Sequence, residues 1–60
     1  MPALLTRRAL ARLPAGGELD VVADDPMAVV DIPHMCHHDG YEVLDTARDG
    51  ERIRFHLRKP

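Results

Sequence analysis

The chain has 60 residues, a formal net charge of −2 and 45% hydrophobic residues, with Tyr41 and Phe55 its only aromatics. A chain this short makes one domain at most and buries only about 60% of its unfolded surface, so its core is small and must be aliphatic. The charge balance argues against a dedicated nucleic-acid binder. No apolar run approaches the ~18 residues of a membrane span, and a single cysteine, Cys36, excludes an internal disulfide.

Leu5, Ala9 and Leu13 recur at i, i+4, i+8 with Leu10 beside them, while Arg8 and Arg12 share another face. This spacing predicts an amphipathic helix over about residues 3–13. Pro14 and the Gly16-Gly17 pair end it. Leu19, Val21 and Ala23 then alternate with Glu18 and Asp20 as in a strand. A tight step through Asp24-Asp25-Pro26 leads to a second helix, with Asp25 as its N-cap and Pro26 where a missing N–H has no partner to lose. Pro33 should kink or restart that helix near Asp31, and Gly40 should close it. Tyr41 to Ala47 reads as a strand, Asp49-Gly50 as a hairpin turn, and Ile53, Phe55 and Leu57 alternate with Arg52, Arg54, His56 and Arg58. The order α-β-α-β-β predicts an α/β (α+β) two-layer sandwich, with two helices covering one face of a small mixed sheet.

Several side chains invite chemistry. Arg7 and Arg8, in the first turns of the first helix, are donors for an acidic partner surface or simply a solvated face. Cys36 falls at i, i+3, i+7 with Val29 and Ile32, which marks it as a small core residue, although His34, His37 and His38 are near in sequence should it act as a thiol. His34 and His38 lie at i, i+4 and are weak candidates for a metal; Cys36 points elsewhere and His56 is on a distant strand. A polar face whose imidazolium groups suit the helix C-terminus explains the histidines as well. The basic face of the last strand lacks the aromatic platform and glycine-rich clamp of RNA binders, so it reads as the exposed side of an edge or solvent-facing strand.

One set of landmarks runs through nearly the whole chain: Pro2 to Leu10 with Thr6-Arg7-Arg8-Ala9-Leu10, Leu13 to Glu18 with Gly16-Gly17, Asp24-Asp25-Pro26, Asp31-Ile32-Pro33, Cys36 and Gly40-Tyr41-Glu42. Their order resembles the TusA/SirA family of sulfur carriers. In that family the first helix follows a first strand and a Cys-Pro-X-Pro motif whose cysteine carries a persulfide. By this resemblance Pro2 is the second proline and Met1 the X position, so the Cys-Pro pair would precede Met1. Residues 1–60 are accordingly expected to be a single TusA-like domain, N-terminally truncated from a family order of β-α-β-α-β-β. Met1 is then either an internal methionine or the start of a shortened paralogue.

The resemblance implies a sulfurtransferase-type relay, loaded by a cysteine desulfurase and discharged to relay proteins for tRNA thiolation or related sulfur metabolism. No cofactor is expected, and the charge balance and the lack of a long apolar run make neither a membrane nor a direct nucleic-acid contact expected. As written, the chain is expected to carry no persulfide, since a carrier thiol at the helix N-terminus, where the helix dipole favours the thiolate, is not among its residues. Two other readings stay open: a non-catalytic interaction or regulatory module, and a small metal-binding protein. A cytoplasmic location is expected, because Arg7 and Arg8 charge the stretch that a secretory leader would keep apolar. Self-association is expected where apolar surface is left uncovered.

Overall fold

The computed structural model describes residues 2–60, with side chains from Leu4 onward. Two helices and three strands follow in the order α1 (Pro2–Arg12), β1 (Glu18–Ala23), α2 (Ala28–Asp39), β2 (Glu42–Asp49) and β3 (Arg52–Arg58). This is the α+β order expected from periodicity. The motif position Met1 lies outside the described residues.

α1 starts at Pro2, whose missing N–H would have had no helical partner. It turns Thr6 and Leu10 into the core and half-buries Leu13, while Leu5 stays 63% exposed. The expected Leu5–Ala9–Leu13 stripe is thus shifted by one position. Leu4, Leu5, Ala9, Leu10 and Leu13 wrap more than half the helix, so spacing alone admits two stripes, and packing on the sheet selects the one through Leu10 at the expense of burying Thr6. Gly16 takes a left-handed φ of 84°. Its N–H donates to the Lys59 carbonyl (2.5 Å), and the Lys59 N–H donates to the Gly17 carbonyl (2.8 Å), sewing the α1–β1 turn to the end of β3.

The Asp25-Pro26 step makes a turn ahead of the helix rather than its first residues. Asp25 Oδ1 accepts the Met27 N–H (2.9 Å), the Asp25 carbonyl accepts the Ala28 N–H (3.0 Å), and the helix proper starts at Ala28 with Met27 in the cap position. Asp25 therefore still supplies acceptors at this end, two residues earlier than an N-cap would. The break expected near Asp31 does not occur, for α2 runs through Pro33. Pro33 forfeits one bond, to the carbonyl of exposed Val29, while Ala28, Ile32, Met35 and Cys36 hold both halves of the helix to the core. Gly40 ends α2 in the left-handed conformation, with its own N–H and that of Tyr41 donating to the Cys36 carbonyl.

The strand order is β1-β3-β2, and both ladders are antiparallel. A mixed sheet was the expectation. The α2 crossover does return β2 in the same direction as β1, but β3 occupies the position between them, so no hydrogen-bonded parallel pair forms among the described residues. Gly50 turns the β2–β3 hairpin with φ 62°, while Glu51 keeps an ordinary φ, the pattern of a type II′ turn. Ile53, Phe55 and Leu57 face inward and meet Leu10, Ala28, Ile32, Met35, Cys36 and Ala23 in one core, flanked by Leu13, Leu19, Val21 and Tyr41. Both helices lie on that face. β2 remains exposed along its whole length and bulges at Leu44.

Candidate functional site

α1 is held at its middle and near its C-terminus and presents one exposed face. Lys59 Nζ donates to the Ala11 carbonyl (3.1 Å) near its C-terminus, and Arg7 Nε donates to Asp39 Oδ2 (2.6 Å) on α2. With Thr6 and Leu10 inward, the opposite side carries Leu4, Leu5, Arg8 and Arg12, all exposed. Of the two arginines expected to face a partner, Arg7 is committed to an interhelical ion pair, whereas Arg8 has no partner among the described residues. The result is an exposed helix face that is apolar toward its N-terminus and basic along its middle. Exposed leucines beside an unpaired arginine suit a protein partner with an apolar, acidic surface.

Cys36 is 1% exposed among Ile32, Met35 and the sheet. Burial first, and then the negative charge of Asp39, push its thiol above the ordinary range, so it is neutral at physiological pH and shielded from attack. This thiol is built into the core. Asp39 itself is held below the usual carboxylate range, chiefly by its hydrogen bond from His38 and also by Arg7. His34, His37 and His38 all lie on the exposed side of α2, and among the described residues no three His, Cys, Asp or Glu side chains form a group able to hold a metal.

The outer face of the sheet differs from the bare basic strand that composition suggested. β3 is central, and both neighbours carry carboxylates in register: Glu18 opposite Arg58 and Asp20 opposite His56 on β1; Glu42 opposite Arg58, Asp45 opposite His56 and Asp49 opposite Arg52 on β2. His56 bridges two of them, Nδ1 to Asp20 Oδ1 (2.5 Å) and Nε2 to Glu18 Oε1, and Arg58 Nη1 lies 3.7 Å from Glu42 Oε1. Carboxylates accept only, so a ring bonded at both nitrogens must donate from both, as an imidazolium. The Asp20 and Glu18 bonds accordingly raise the His56 pKa. These partners are more than thirty residues apart in sequence; the acidic alternation of β1 was the available signal, but it needed the register to be read. At the hairpin end, Asp24, Pro26, Arg48, Gly50, Glu51 and Ile53 line an open groove of about 430 Å³. None of Arg7, Arg8, His34, Cys36 and His38, the side chains for which the sequence suggested chemistry, lies in it.

No helix among the described residues is long and apolar enough to cross a membrane. No solved structure matches the chain. Residues 1–59 match the family model described as Sulfurtransferase TusA. YedF of Escherichia coli strain K12, whose name describes a candidate sulfur carrier protein, is 40% identical over 58 residues, 97% of this chain and 75% of YedF. The sulfur carrier protein TusA of Pseudomonas putida strain GB-1 is 34% identical over 58 residues, covering 97% of this chain and 72% of that protein. With the helix–strand order, the proline and glycine landmarks and the matched span in agreement, the chain belongs to the TusA sulfurtransferase family.

Proposed function

We propose that this domain serves a sulfur relay in which a cysteine desulfurase loads a persulfide and a relay protein removes it for tRNA thiolation or related sulfur metabolism, in the cytoplasm. The observation that carries this reading is that α1 opens at Pro2 and leaves Leu4, Leu5 and Arg8 exposed along its first turns. In the family register the carrier thiol belongs two positions before Met1, at the positive end of this helix, where developing thiolate charge is favoured. Leu4, Leu5 and Arg8 would then flank the thiol and dock its donor and acceptor. Arg7 contributes by orienting α1 against α2 through Asp39.

Residues 1–60 alone supply no substitute thiol, because Cys36 is buried and its pKa is raised. Incubating the sixty-residue protein with a cysteine desulfurase and cysteine should therefore add no sulfur to Cys36 by mass spectrometry. One stoichiometric sulfur on Cys36 would overturn this. A chain carrying Cys-Pro ahead of Met1 should gain one sulfur on the new cysteine, and Arg8→Glu in that chain should slow loading while leaving the fold intact by circular dichroism. Equal loading with and without the arginine would remove the docking role.

The second reading, a non-catalytic interaction module, is favoured by the same exposed face together with the open edge of β1 in the β1-β3-β2 sheet. These surfaces also provide for self-association at high concentration.

A further inference from the structure

We propose that His34 and His38 chelate an exchangeable divalent transition metal on the exposed side of α2, with Asp39 and Arg7 as the supporting groups behind it. α2 is an unbroken helix across these residues, so positions 34 and 38 stand one turn apart on one face, with Cβ atoms about 5–6 Å apart. Both rings are exposed, and His34 makes no hydrogen bond to another described residue.

The decisive feature is behind His38. Its Nδ1 lies 2.8 Å from Asp39 Oδ1, and a carboxylate only accepts, so Nδ1 must carry the proton. In the neutral ring this leaves the lone pair on Nε2, the nitrogen directed away from Asp39. Asp39 is in turn held by Arg7 Nε at 2.6 Å through its other oxygen, so the carboxylate is fixed on both sides. A histidine whose second ring nitrogen donates to an anchored carboxylate is the usual arrangement for a metal ligand, because that bond sets tautomer and orientation and raises basicity. His37 has no such support.

No third His, Cys, Asp or Glu completes the set among the described residues, so water fills the remaining positions and the ion exchanges freely. Imidazole pairs suit Cu²⁺, Ni²⁺ and Zn²⁺ in preference to Mg²⁺ or Ca²⁺, with Cu²⁺ bound most tightly. Binding would not involve the buried thiol of Cys36. It would place a cation next to the Arg7–Asp39 contact that links α2 to α1.

The test is isothermal titration of the untagged chain with Cu²⁺ and Ni²⁺ near neutral pH. One equivalent should bind, and His34→Ala and His38→Ala should each weaken binding at least tenfold. Asp39→Asn, kept only if circular dichroism shows it folded, should weaken it roughly tenfold, while His37→Ala should change it less than twofold. Affinity unchanged in His34→Ala or His38→Ala would mark adventitious binding only and overturn the proposal, as would a loss confined to His37→Ala. Independently of any metal, long-range nitrogen–proton NMR should show neutral His38 protonated at Nδ1. Finding the Nε2–H form instead would remove the basis of the site.

Discussion

His56 sits mid-strand on the outer face of the sheet, among Arg54 and Arg58 of its own strand, Glu18 and Asp20 of β1 and Asp45 of β2. The two β1 carboxylates hold its ring at both nitrogens, and its pKa is raised above the ordinary value of 6.5. A group whose folded pKa lies above its unfolded one adds stability that is complete below about 6.5 and disappears as pH rises through the folded value. Melting temperature should therefore fall between pH 6 and pH 8 by more in the wild type than in His56→Gln, which keeps the shape without the charge. Parallel curves for the two proteins would show that the bridge contributes nothing. Asp39 works in the opposite sense. Its carboxyl is lowered from 3.8, so its contribution exists above that pH and is lost on acidification through the folded value.

At the scale of elements, each helix buries a narrower stripe than its composition offers. Leu10 is fully buried and Leu5 is 63% exposed, although both lie on the same apolar-rich helix. Leu10→Ala should cost about 2–5 kcal/mol, a large share of the roughly 3–9 kcal/mol available to a chain of this length. Leu5→Ala should stay within about 0.5 kcal/mol. Denaturant midpoints measure both, and equal losses would place Leu5 in the core instead. Pro33 offers the reverse case. Pro33→Ala restores an N–H that can reach the Val29 carbonyl and removes the ring from the helix interior, so thermal unfolding should shift upward, by about 4–8 °C for each kcal/mol gained. A lower melting temperature would mean that the half-buried pyrrolidine packs better than it disrupts.

As a whole, the molecule has a covered face and an open one. The helices cover the Ile53–Phe55–Leu57 face, while the other face is a basic central strand between two acidic neighbours, charged but locally balanced. β1 and β2 are both edge strands, and Leu5, Val30 and Val22 remain more than half exposed. Sedimentation from micromolar to millimolar protein should show the mean mass rising, and Leu5→Lys should suppress the rise if the α1 face takes part. A constant monomer mass would rule out self-association and leave that face to other partners.

Periodicity in the sequence was enough for the five elements, because helix and strand spacing are local properties of the chain. β3 shows this best: its strict alternation of Ile53, Phe55 and Leu57 with charged residues is also its burial pattern. Cys36 was legible as a core residue for the same reason, and Gly40 and Gly50 because only glycine takes left-handed backbone without strain. The family was legible from landmark residues in order.

What only the tertiary structure decided depends on residues far apart in the chain. Spacing did not distinguish the two possible stripes on α1; packing on the sheet did. Nor did it show that β3 would be central, that its basic row would meet carboxylates on both sides, or that Arg7 would be used up by Asp39, 32 positions away. The reason is physical: local sequence sets which backbone conformations and faces are available, but register, pairing and the choice of buried stripe follow from fitting all the elements into one small core.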